Sequence, residues 1–142
     1  PEVGNINLNS LLELKDFGKI YIMLGINELG YDFNNTIAKY EALVDLIRDT
    51  LPDALIYIQA NLHVTKSRAE SDAIYNNENI NKFNSAVSSI SDNQDIFYLD
   101  VNVIFDDENG DLNPEYTSDD THVLGKHYLD WCDWLATKAI IK

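Results

Sequence analysis

The chain has 142 residues, 45% of them apolar, which is enough for one packed core but few for a complete layered α/β enzyme. Twenty-four acidic against ten basic residues give a formal charge of -14, which repels phosphate backbones and anionic membrane surfaces and excludes nucleic acid as an expected partner. Cys132 is the only cysteine, so neither an internal disulfide nor a zinc site of paired cysteines can form, and no apolar run approaches the roughly 18 residues of a membrane span.

The sequence opens at Pro1 without an initiator methionine. The expectation is a single domain over residues 1–142, incomplete on its N-terminal side, with cellular location left open. In chain order, residues 8–14 read as a short helix. Residues 19–24 are rich in β-branched and aromatic side chains and read as the first strand. Ile37, Tyr40, Leu43, Val44 and Ile47 then form a helical stripe, with Asn34, Asn35 or Thr36 placed to cap it and Pro52 beyond its end.

A second strand is expected over residues 54–59, and a second helix on the stripe Ile80, Phe83, Val87 and Ile90. A third strand follows over residues 96–101, then a long polar loop, then a last helix on Tyr128, Trp131, Cys132, Leu135 and Ala139. Cys132 is expected to be buried within that helix. The strands are apolar without clean alternation, as suits a sheet covered on both faces. This order predicts a three-layer α/β/α architecture with a flavodoxin-like parallel sheet.

In such sheets ligands bind beyond the carboxyl ends of the strands. After the first strand come Gly25 and Asn27: a glycine that permits close approach, and an amide able to donate to an oxyanion, or simply a turn. After the second comes His63, a candidate substrate contact or an ordinary loop histidine. After the third, Asp119 and His122 stand three residues apart. A carboxylate there can fix an imidazole tautomer for proton transfer, or Asp119 or Asp120 can cap the last helix. His127 reads as a helix-surface residue. The acidic run at 106–111 lacks the glycine position of an EF-hand and reads as a solvated turn. Metal-dependent hydrolysis through Asp119, Asp120 and His122 is a weaker reading for want of further converging histidines, and no metal and no cofactor are expected.

Two ordered blocks carry a family resemblance. Tyr21-Ile22-Met23-Leu24-Gly25-Ile26-Asn27-Glu28 resembles the Gly-x-Asn-Asp block of SGNH, or GDSL-type, serine esterases, with Glu28 in place of the aspartate. Thr117-Ser118-Asp119-Asp120-Thr121-His122 resembles their terminal Asp-x-x-His block. The resemblance implies an SGNH hydrolase fold lacking its first strands and an acyl-ester hydrolase acting on a small-molecule or carbohydrate ester. It further implies His122 as general base, Asp119 as its orienting partner and Asn27 as an oxyanion donor.

The family's Gly-Asp-Ser block is absent from the chain, and no serine follows a buried strand with glycine beside it. The chain alone is therefore expected not to turn over esters, with the nucleophile supplied from upstream. A non-catalytic binding or interaction module of the same shape is the alternative. Without a preceding strand, residues 19–24 would present an apolar sheet edge, through which a homodimer is expected.

Overall fold

Every buried strand needs a helix on each face, and the distribution of apolar side chains supplies them. The computed structural model describes residues 7–140. Helix α1 (Leu8–Leu12) precedes strand β1 (Lys19–Ile22); α2 (Phe33–Thr50) leads to β2 (Leu55–Gln59). The short α3 (Lys66–Ser71) and α4 (Asn77–Ser88) lead to β3 (Ile96–Leu99), and a long loop ends in α5 (Tyr128–Lys138). The three strands form one parallel sheet in the order β1-β2-β3, with Ile20 opposite Ile56 and Ile58 opposite Tyr98.

Alternation in β2 divides the layers. Ile56 and Ile58, both 0% exposed, face the side where Tyr40, Val44 and Ile47 of α2 meet Phe83 and Val87 of α4. Tyr57 and Gln59 face the other side. Tyr57 lies in an aromatic ladder, 4.7 Å from Tyr21 and 5.5 Å from Phe97 between ring centroids, and its hydroxyl accepts the Ile140 N–H at 2.9 Å. Gln59 accepts the Trp131 indole N–H at 3.0 Å, which ties α5 to the sheet. The expected three-layer α/β/α parallel fold is therefore the one observed.

Two local expectations need correction, and one short helix was not expected. Asp32, not Asn34, Asn35 or Thr36, caps α2, its carboxylate accepting the Asn35 N–H at 3.0 Å, because the helix starts a turn earlier than its apolar stripe. Cys132 is exposed: α5 rests on the sheet through half-buried Trp131 and Trp134, which turns Tyr128 and Cys132 outward. The helix α3 has no apolar stripe to announce it; Thr65 starts it by accepting the Arg68 N–H.

Gly25, beyond the end of β1, lies in the left-handed region at φ 105, and Phe83 packs so closely over it that a β-carbon would collide with the ring. The glycine is thus demanded by backbone and core together. Gly25→Ala should destabilise the fold by about 2–4 kcal/mol, measured as a shift in the urea midpoint; an unchanged midpoint would mean that the turn and Phe83 rearrange freely.

Candidate active site

The loop after β3 carries the expected histidine and aspartate in a tight turn. The isolated bridge between Thr117 and Val123 closes it, and Asp120 passes through it at φ 65. Inside it, Asp119 Oδ1 accepts the backbone N–H of Thr121 at 3.0 Å and of His122 at 2.7 Å, and the Thr117 hydroxyl at 3.1 Å. Asp119 Oδ2 lies 2.8 Å from His122 Nδ1. The amide of His122, then its ring, then the amide of Thr121 hold the Asp119 carboxyl far below the usual carboxylate range. The carboxylate therefore remains an acceptor and fixes the proton on Nδ1, leaving Nε2 as the basic nitrogen. No described residue bonds Nε2. Neither Asp119 nor Asp120 caps α5, whose first turn follows His127.

His122 lines a pocket of about 260 Å³ with Met23, Ile26, Asn61, Leu62, Val64, Tyr75, Thr121, Val123, Tyr128 and Trp131. Gly25 and Asn27 line a neighbouring recess of about 550 Å³ with Leu24, Glu28, Tyr31 and residues of α2. The turn at residues 23–28 divides the two, with Met23 and Ile26 on the His122 side and Leu24, Gly25 and Asn27 on the other. The sequence candidates are thus brought to one end of the sheet but into adjoining recesses.

His63 does not fit the expected substrate contact. It is 7% exposed, with Nδ1 at 2.8 Å from Asp106 Oδ2 and Nε2 at 2.9 Å from Asn81 Oδ1, and it is absent from the lining of both recesses. Both ring nitrogens face acceptors, the arrangement of an imidazolium clamp. Burial alone would lower its pKa. Bonding and attraction to Asp106, the bond to Asn81 and attraction to Asp100 outweigh it and raise the pKa above 6.5. The second oxygen of Asp106 is buried without a partner, so the charge on His63 also compensates that carboxylate. His127 is likewise less exposed than expected: its ring meets Tyr116 edge to face at 4.7 Å and its Nδ1 lies 3.1 Å from Asp130.

Residues 6–127 match the GDSL-like Lipase/Acylhydrolase family. The chain belongs to that family. Among solved structures it is similar to a protein assigned as a platelet activating factor from Streptococcus pneumonia, at 24% identity and a TM-score of 0.74, over 84% of this chain and 58% of that one. It is also similar to an assigned acylhydrolase from Bacteroides fragilis NCTC 9343, at 17% identity and a TM-score of 0.66, over 85% and 60%. An acetyl esterase mutant, S10A, with acetate ion matches at 14% identity and a TM-score of 0.56, over 86% and 60%. The chain spans about three-fifths of the length of each of these structures, and their likeness establishes the GDSL-like fold. No curated protein matches the chain significantly.

What the residue pattern did not reveal in this GDSL-like domain is the support beneath the histidine turn. Asn77, Asn81, Asn84 and Asn102 reach into the loop after β2 and bond its backbone or the His63 ring. A signal existed: Asn77, Asn79, Asn81 and Asn84 crowd one helix, although asparagine is a poor helix former, and such a cost is borne where the amides have partners.

The clamp sets a pH dependence. A folded pKa raised above 6.5 means that His63 contributes its full stabilisation below about pH 6.5 and loses it as pH rises through the folded value. Urea midpoints of the native chain should fall across that window, and His63→Gln should be less stable at low pH and lack that fall. Equal pH slopes for the two proteins would contradict a charged clamp.

Proposed function

We propose that this chain carries the proton-transfer half of a serine acyl-ester hydrolase, with the nucleophilic serine supplied by residues outside it. The observation that carries this reading is the 2.8 Å contact of His122 Nδ1 with an Asp119 carboxylate held firmly ionised, while His122 borders a pocket. In this reading Nε2 takes the proton from a serine hydroxyl as its oxygen attacks the acyl carbonyl, and returns it to the departing alcohol. Asp119 stays ionised, holds the ring and offsets the imidazolium charge. Water then repeats the sequence and releases the acid.

The reacting carbonyl would sit over the turn at residues 23–28, where the two recesses adjoin. There Asn27 can offer its side-chain amide to the oxyanion from one side while His122 acts from the other. Gly25 keeps that turn close to the sheet. A 260 Å³ pocket lined by Leu62, Val64, Val123, Tyr128 and Trp131 suits a short acyl chain or the apolar face of a small or carbohydrate ester. The absence of serine from this lining favours one second reading, a non-catalytic binding module of the same fold.

The test is p-nitrophenyl acetate hydrolysis by the natural protein that contains this chain. His122→Ala and Asp119→Asn should each lower kcat/KM by roughly 10³–10⁴-fold with little change in the thermal midpoint. The isolated chain should neither hydrolyse the ester nor label with a fluorophosphonate. Hydrolysis by the isolated chain that vanishes in His122→Ala would overturn an external nucleophile. Full activity of His122→Ala in the natural protein would overturn the catalytic reading and leave the binding module.

A further inference from the structure

Both members of the histidine–aspartate pair are on the surface, with side chains 81% and 52% exposed. An exposed ion pair contributes little and does not by itself fix a loop, so the turn that presents the pair needs further anchoring. The anchor is visible in the backbone. Asp120 sits at φ 65, in the left-handed region that most L-residues avoid and that aspartate enters more readily than most.

Beyond the Thr117–Val123 bridge, Asp120 is bonded from another loop by one residue. The Thr65 N–H donates to the Asp120 carbonyl at 3.0 Å, and the Thr65 hydroxyl donates to Asp120 Oδ1 at 2.8 Å. The same hydroxyl oxygen accepts the Arg68 N–H at 3.3 Å, which leaves its proton to point at Asp120.

Thr65 is well placed to be the fixed partner. It is 1% exposed, and the residue before it is gripped on both polar groups. Asn77 Oδ1 accepts the Val64 N–H at 2.9 Å, and the Val64 carbonyl accepts from Asn77 at 2.9 Å and from the Leu112 N–H at 3.1 Å. With Asp120 held in its left-handed turn, the amides of Thr121 and His122 converge on Asp119 Oδ1 and leave Oδ2 for the imidazole.

We propose that Thr65 is a positioning residue for the Asp119–His122 pair, fixing the turn through Asp120 on which the geometry of that pair depends. Its effect on catalysis rests on the esterase reading above; its effect on the turn does not. Thr65 touches no reacting group, and its influence passes through Asp120.

The experiment follows the pair itself in the labelled chain, by carbon-detected NMR titration of the Asp119 carboxyl and nitrogen-detected assignment of the His122 tautomer. Thr65→Val keeps the side-chain shape and removes the hydroxyl; Thr65→Ser restores it. In Thr65→Val the Asp119 carboxyl should titrate at higher pH than in the native chain and the fraction of Nδ1–H tautomer should drop, while Thr65→Ser should match the native chain on both. Asp120→Gly, which tolerates the positive φ, removes the acceptor without touching the buried threonine and should reproduce the Thr65→Val result, so loss of folding in Thr65→Val would leave the question decidable. Native-like titration and tautomer in folded Asp120→Gly or Thr65→Val would overturn the proposal. In the natural protein Thr65→Val should lower kcat about tenfold with KM little changed. A protein in which His122→Ala retains activity removes the catalytic consequence alone, and the NMR comparison still decides the turn.

Discussion

The hydrogen bonding of the segment that leaves β2 governs the rest of the site. Residues 60–65 run at the bottom of the cleft with Ala60, Asn61, His63, Val64 and Thr65 buried, although no strand pairs with most of them. A buried backbone without a ladder requires other partners, since each unpaired group costs about 1–3 kcal/mol. Here they are side-chain amides: Asn84 takes the Asn61 N–H, Asn102 the His63 N–H and Asn77 the Val64 N–H, each within 2.9 Å. These amides come from α4 and from the start of the loop after β3, so the segment joins the two elements that frame the cleft. The His63 clamp to Asp106 and Asn81 adds a charged link in the same place.

Function inherits this arrangement in one direction. The rigid segment places Thr65; Thr65 meets Asp120; and the turn around Asp120 aligns Asp119 with His122. An exposed surface turn is thereby tied to a buried segment. The apolar cluster of Val101, Phe105, Leu112 and Val123, with Trp131 against it, supports the same loop from below. The proposed chemistry needs a carboxylate and an imidazole in fixed relation, and the fold provides that relation without burying either.

The sheet, its helices other than α3 and the histidine turn were legible in the sequence because each left a local trace. Three apolar runs gave three strands within two residues of their ends, and Asp119 and His122 stand close enough in sequence to read as a pair. The partners of His63 were not legible, because Asp106 and Asn81 lie 43 and 18 residues from it. Gly25 was legible as a glycine that permits close approach or makes a turn, but the contact that demands it was not. The ring pressed against it belongs to Phe83, a residue whose own pattern announced only a helix face. Cys132 misled because a helical stripe records spacing, whereas Trp131 and Trp134 decide which way α5 rolls onto the sheet.

Amide hydrogen exchange along residues 60–65 of the folded chain tests the central claim most directly. The N–H groups of Asn61, His63, Val64 and Thr65 should exchange as slowly as those of β2, because each is bonded inside the molecule. Exchange at the rate of the exposed 107–110 loop would contradict a rigid support, and with it the route by which the fold orders the histidine turn.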